Sequence, residues 1–157
     1  MKRILLWIVA LAVALTIAAA VYFRAAPDDP AVWHVDPVTA ERTGNPNEYI
    51  VAPQGLRDDA DRAAKVHSGE PKDLLFQFDS VAGPSSRKLA GSLDDLHITY
   101  VNRTLLMGYP DYISVKAVET EGGSALVIYS RSRFGKSDFG VNKTRIDTWL
   151  AQMGEPQ

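Results

Sequence analysis

Residues Tyr112–Arg133 read YISVKAVETEGGSALVIYSRSR. Two runs rich in Val, Ile and Tyr flank Gly122-Gly123-Ser124, the composition of two strands meeting in a tight turn. In the first run Ile113, Val115 and Ala117 alternate with Ser114, Lys116 and Val118. Side chains two apart on a strand share a face, so one face is apolar and the other mixed. Strands are expected over Tyr112–Glu119 and Ala125–Arg133, and so short a connection makes them antiparallel neighbours.

Upstream, His97–Leu106 has the same character and is separated from the first strand by the turn Gly108-Tyr-Pro-Asp111. Arg87–Gly91 offers a shorter fourth strand, and Asp73 can cap a helix over Leu74–Ala82 that Gly83-Pro84 stops. Downstream, Ile146, Trp149, Leu150 and Met153 fall at i, i+3, i+4 and i+7, the stripe of an amphipathic helix. Asn142 is the expected N-cap, and Gly154 and Pro156 are stop signals. The fold class expected for residues 72–157 is therefore α+β. It consists of an antiparallel sheet of three to four strands, with the C-terminal helix and its partner packed on one face.

Residues 25–71 read differently: PDDP, VDP, GNPNEY and APQG put proline and glycine every few positions. Proline lacks an amide donor and restricts the residue before it, so these are extended pieces and turns. Leu56–Val66 is the only helix-like piece. The segment is expected to act as a tether that wraps over the domain, held by Trp33 and Tyr49.

Residues 1–24 contain ILLWIVALAVALTIAAAVYF, twenty uncharged residues from Ile4 to Phe23. As a helix this run is about 30 Å long, the thickness of a bilayer's hydrocarbon core. A cleaved signal peptide with Ala18-Ala19-Ala20 as its small-residue site is the rival, but signal cores usually run about 7–15 residues. The run therefore reads as an uncleaved signal anchor that contacts the lipid bilayer through Ile4 to Phe23. Lys2 and Arg3 precede it, which leaves the N-terminus in the cytoplasm and exports the rest. For a bacterial chain this means a single-pass inner-membrane protein with a periplasmic domain.

The net charge of −2 predicts no nucleic-acid partner. Its distribution is uneven, with eleven acids against five bases over residues 28–79 and eight against nine over 80–157. With no cysteine in the chain, the exported part must hold together without disulfides.

Chemistry is sparse. Ser130–Asn142, SRSRFGKSDFGVN, places Arg131, Arg133 and Lys136 between a strand and a helix start. Arg131 and Arg133 share a face, and with Lys136, Asp138 and Asn142 they are the expected ligand-binding residues for an anion or a partner. The competing reading is a rigid corner whose cations are satisfied by Asp138 and backbone carbonyls. Gly135-Lys136-Ser137 lacks the first glycine of a P-loop, and Asp138-Phe139-Gly140 stands without a kinase catalytic loop. His34, His67 and His97 have no metal-ligand spacing, so no metal, cofactor or catalytic residue is assigned. Tyr109 and Tyr112 around Pro110 form a second candidate surface, for a partner protein.

The segment Ser130–Ile146, SRSRFGKSDFGVNKTRI, resembles the closing signature of the bacterial and plastid domain-of-unknown-function family 1499. Tyr100-Val-Asn-Arg-Thr104, Gly108-Tyr-Pro-Asp111 and His34-Val-Asp-Pro37 are similar to its weaker blocks. The likeness runs over about residues 32–152 and implies a family of small, often membrane-anchored proteins, with no activity to carry over. Family members often have arginine where Lys136 stands and a basic residue near Thr144. Lysine keeps the charge but not the fork needed for bidentate binding.

The sequence thus favours a non-enzymatic, single-pass membrane-anchored protein whose exported α+β domain binds a partner protein or an anionic ligand. The alternatives are a small hydrolase using His97 beside Arg103, and an accessory subunit of a membrane complex packed through Ala10, Ala14 and Ala18.

Overall fold

The computed structural model describes residues 1–135 and 139–155. Lys136 and Asp138, expected above as ligand-binding residues, lie outside the described residues. The chain begins with helix α1 (Lys2–Ala25), none of whose residues is buried. It is long and apolar enough to cross a membrane. A single turn, α2 (Pro30–Trp33), follows, with Asp29 accepting the amide of Ala31 and Pro30 at its first position.

Strands β1 (Glu48–Ala52) and β2 (Arg62–Ala63) come next, then helix α3 (Pro71–Ala82), strands β3 (Arg87–Ser92), β4 (His97–Arg103), β5 (Pro110–Thr120) and β6 (Gly123–Ser132), and helix α4 (Val141–Gln152). The sheet has six strands in the order β2-β1-β6-β5-β4-β3. All neighbours are antiparallel except β1 and β2, which are parallel. The expected three to four strands thus become six. The two additions come from residues 25–71, so that segment wraps the domain and also builds one end of its sheet. Glu48–Ala52 (EYIVA) is short and framed by turn residues, which hid a buried strand. Leu56–Val66 is not helical but forms turns and β2.

The β5–β6 hairpin pairs Asp111 with Ser132 through to Thr120 with Gly123. Gly123 cannot be replaced simply, because its φ is 144° and a Cβ there would stand 2.0 Å from the His67 carbonyl oxygen. That carbonyl accepts the amide of Ser124, which ties residue 67 to the hairpin end.

One face of the sheet carries Tyr49, Val51, Ile98, Tyr100, Ile113, Val115, Leu126 and Ile128, and α3 and α4 close over it as expected. Phe78 from α3 meets Trp149 from α4 edge to face, centroids 5.8 Å apart. The opposite face is not left to water: Thr99, Ser114 and Tyr112 are fully buried there, beneath residues 27–43. A sheet with both faces covered explains why the charges on the mixed face, Arg131, Lys116, Arg103 and Glu48, all have defined partners.

Candidate functional site

Adjacent residues of β6 reach opposite faces. Ser130 and Ser132 point toward α4, and Arg131 points toward the covering segment 27–43, here termed the strap. Arg131 is 3 % exposed. Its Nη2 donates to the Trp33 carbonyl at 2.6 Å, and its Nη1 to Ser114 Oγ at 3.3 Å and the Tyr129 carbonyl at 3.4 Å. Its guanidinium lies over the Tyr129 ring at 4.8 Å and the Trp33 ring at 5.7 Å. Among the described residues no carboxylate makes a direct ion pair with it, and burial pulls it from 12.5 down to about 10 despite the opposing pull of Tyr129, of Glu48 opposite it on β1, and of Tyr112. Arg133 follows the same design, donating to the Pro27 carbonyl at 2.8 Å with Trp33 and Phe134 beneath it.

The strap carries the rest of the clasp. Asp28 accepts from Tyr112 Oη at 2.7 Å and Arg103 Nη2 at 2.7 Å, and also from Arg87. Burial disfavours the charged form of Asp28. The hydrogen bonds from Arg103 and Tyr112 and the charges of Arg103 and Arg87 outweigh it, holding the carboxyl below its usual range. Trp33 lies flat on Tyr112. His34 stacks on His97 with centroids 4.0 Å apart and makes a 2.8 Å hydrogen bond through Nδ1 to Thr99 Oγ1, which in turn bonds Ser114 at 3.0 Å. Asp36 accepts from Lys116 at 2.5 Å. A polar line therefore crosses the sheet from His34 through Thr99 and Ser114 to Arg131.

On the other face, α4 is preceded by Gly140 in the N-cap position with φ 79°. Asn142 is not the cap. It lies inside the first turn, because the positive φ of Gly140 brings the chain into the helix two residues earlier than the sequence suggests. Its side chain is instead a buried hub: Oδ1 accepts from Ser130 at 2.5 Å and Arg145 at 3.0 Å, while Nδ2 donates to Ser132 and the Asn47 carbonyl. Ser132 donates to Asp111 Oδ1 at 2.5 Å, and Arg145 closes the ring on Asp111 Oδ2 at 2.7 Å. Arg131 and Asn142 are thus separated by the sheet rather than gathered at one anion site.

The two tyrosines of the Gly108–Tyr112 turn also part company. Tyr112 is fully buried under Trp33. Tyr109 packs its ring on Phe23 of α1 at 4.5 Å and on Phe134 at 6.2 Å. Beside them is a cleft of about 250 Å³ lined by Thr104, Tyr109, Asp111, Ser132, Phe134, Phe139 and Val141. Its walls are apolar and its floor is the Asp111–Arg145 network.

His97 and Arg103 lie at opposite ends of β4, about 20 Å apart at the rise of a strand. A proton-transfer group next to Arg103, on which the hydrolase alternative relied, is therefore not assembled. Burial, and then the neighbouring His34, push His97 down to about 4. Among the described residues no group of three or more ligands could hold a metal.

The last turn of α1 is joined to this end of the domain. Arg103 Nη1 donates to the Phe23 carbonyl at 2.9 Å and its Nη2 to the Ala26 carbonyl at 3.1 Å. Arg24 donates to the Leu105 and Leu106 carbonyls at 2.6 and 3.0 Å. Sequence reasoning missed Asp28, Ser114 and Thr99. The available signal was hydroxyl residues at strand centres, which require partners wherever the face is covered.

The profile of a family described as "Protein of unknown function (DUF1499)" matches residues 27–153. The chain belongs to this family. Its matched region begins at Pro27, so the strap belongs to the domain-of-unknown-function unit and the apolar helix α1 stands outside it. No curated protein and no solved structure matches the chain significantly.

Proposed function

We propose that this member of family 1499 is a single-pass protein of the bacterial inner membrane. Residues Ile4 to Phe23 lie in the bilayer, the N-terminus is cytoplasmic, and the α+β domain faces the periplasm. Lys2 and Arg3 before the span support this orientation. The domain works as a binding module for a partner protein in the same membrane. The observation that carries this reading is the cleft at the helix exit, whose aromatic wall Tyr109 is itself in ring contact with Phe23 of α1.

At about 250 Å³ the cleft is smaller than the roughly 300–1,000 Å³ that holds a whole small ligand. It is the size for one apolar side chain of a partner, seated between Tyr109, Phe134 and Phe139 over polar groups that exclude mismatched neighbours. In this reading Arg131 and Arg133 clasp the strap, since each donates to one of its carbonyls.

The test is a photocrosslinking residue at position 139 of the full-length protein, in cells and after extraction in mild detergent, with mass spectrometry of the adducts. A discrete membrane protein, lost when Tyr109→Asp is added, is the expected product. Recovery of lipid adducts alone would overturn the partner reading.

A further inference from the structure

Outside α1 the three most exposed large apolar side chains are Phe139 at 95 %, Leu105 at 94 % and Leu106 at 79 %. Single exposed apolar residues are ordinary on a protein surface. These three are gathered at one end of the domain, around the cleft that Thr104, Tyr109 and Phe139 line together. They are also the end from which α1 departs.

The height of the loop relative to α1 is set by hydrogen bonds. Arg24, the first charge after the apolar run, holds the carbonyls of both Leu105 and Leu106. Arg103 spans from the Gly108 carbonyl at 3.0 Å to the Phe23 carbonyl. Gly108 sits against Arg24, with φ 74° and a Cβ position only 2.4 Å from Arg24 Cγ. The β4–β5 loop is therefore level with the last turn of the helix and cannot swing away without breaking these contacts.

Much of the loop's backbone is satisfied within the protein, as a boundary next to an apolar phase requires, because unsatisfied peptide groups are heavily penalised there. The Gly108 amide donates to the Thr104 carbonyl at 2.9 Å and the Thr104 amide to the Tyr109 carbonyl at 3.0 Å. The Tyr109 amide is taken by Thr104 Oγ1, and the two leucine carbonyls by Arg24. The amides of Leu105, Leu106 and Met107 have no acceptor among the described residues and would be met by headgroup or water oxygens, while the side chains facing outward at the tip are hydrocarbon. Around it stand Phe23, Tyr109 and Phe134 in mutual ring contact, with Tyr22 against Phe23 and Arg24, Arg87 and Arg103 nearby. Amphipathic rings and basic groups flanking an apolar tip are the composition of a segment lying in a headgroup boundary.

We propose that Leu105 and Leu106 are seated in the interface of the leaflet through which α1 leaves the membrane, so that the domain rests on the bilayer at two points. The occupant of the Leu105–Leu106 tip is phospholipid, and the cleft beside it stays open to the partner. The proposal rests on reading α1 as a membrane anchor, and the loop's fixed height at the end of the apolar run is what favours lipid over a protein surface.

Because the chain has no cysteine, single cysteines can report on depth. Full-length Leu106→Cys, Ala14→Cys and Phe76→Cys variants would each carry an environment-sensitive nitrobenzoxadiazole label, in vesicles of three parts phosphatidylethanolamine to one of phosphatidylglycerol. Spin-labelled lipids with the nitroxide near the headgroup or near the chain end serve as quenchers. The label at 106 is expected to emit to the blue of the label at 76 and to be quenched at least twofold more by the shallow nitroxide than by the deep one. The label at 14, mid-span, is expected to show the reverse order. If position 14 is quenched but position 106 behaves like position 76, the seated loop is overturned and the anchor stands. If position 14 is also unquenched, both fail. Shielding of position 106 from aqueous iodide without lipid quenching would overturn the proposal in favour of a protein occupant.

Discussion

The indole of Trp33 lies on the phenol ring of Tyr112, with centroids 4.0 Å apart and planes 7° from parallel. One residue belongs to the strap and the other to the middle of the sheet, so this single stack closes the second face of the domain. The same indole receives Arg131 and Arg133 from β6. Trp33→Ala removes the stack, worth about 0.5–1.5 kcal/mol beyond area burial, and much of the apolar cover over β5. A loss of about 2–3 kcal/mol is expected in urea unfolding of the full chain in mild detergent. Proteolytic cleavage within residues 27–43 should accelerate.

Arg131 and Asp28 hold the same strap by different physics, and substitution should separate them. Arg131 makes no direct ion pair among the described residues and feels only the longer-range attraction of Glu48, opposite it on β1, so Arg131→Met removes a buried charge without breaking a contact pair. The change is expected to lose about 1–2 kcal/mol, mainly the hydrogen bond to the Trp33 carbonyl. Asp28→Ala instead leaves Arg103 and Arg87 facing each other without their shared carboxylate. About 3–4 kcal/mol is expected there, because breaking a largely buried pair strands its partner. Equal losses in the two variants, measured by the same unfolding curve, would show that the missing counter-ion does not govern the difference.

The arginines illustrate how far the sequence could be read. Their shared face, the β5–β6 hairpin and the packing of Ile146, Trp149 and Leu150 on the sheet all follow from periodicities of two and 3.6. The cover over Arg131 does not, because nothing periodic marks a strap made of PDDP and a single tryptophan. Nor does Glu48–Ala52, whose five residues are too few to separate a buried strand from an apolar patch in a loop. The residue types put the cap at Asn142, two residues too late, because a left-handed glycine at 140 is conformational information that residue type only permits. The ring of Asp111, Ser132, Asn142 and Arg145 joins residues up to 34 apart and exists only once the strands are in register.

That ring makes its own prediction. Asp111 and Arg145 have side chains 4 % and 11 % exposed. Asp111→Asn keeps the acceptor for Ser132 but leaves the guanidinium of Arg145 without its charge partner. A loss of about 2–4 kcal/mol is expected, with faster hydrogen exchange in the first turn of α4. Asp111→Asn combined with Arg145→Gln should recover part of it, since a neutral pair leaves no stranded charge. A double variant no better than the single one would mean that the ring's hydrogen bonds, rather than its charges, set the stability.

Acid should loosen the strap in two separate windows. His97 is half-buried and held near 4, against about 6.5 in an unfolded chain. Between those values the unfolded chain takes up a proton that the folded one refuses, so stability falls as pH drops from about 6.5 to about 4. Its neighbours His34 and Lys116 oppose a second positive charge there, and Asp36 and a hydrogen bond to the Val35 backbone favour it less strongly than burial and these charges oppose it. Partial exposure limits the effect to about 1–2 kcal/mol. Asp28 and Asp36 of the strap are held below their usual 3.8, so their contribution is present above that value and is lost only as pH falls further. His97→Phe keeps an aromatic ring against His34 and has no proton to take up. It should flatten the unfolding free energy between pH 6.5 and 4 while leaving the steeper decline below 4. A slope unchanged in that variant would assign the upper window to another group.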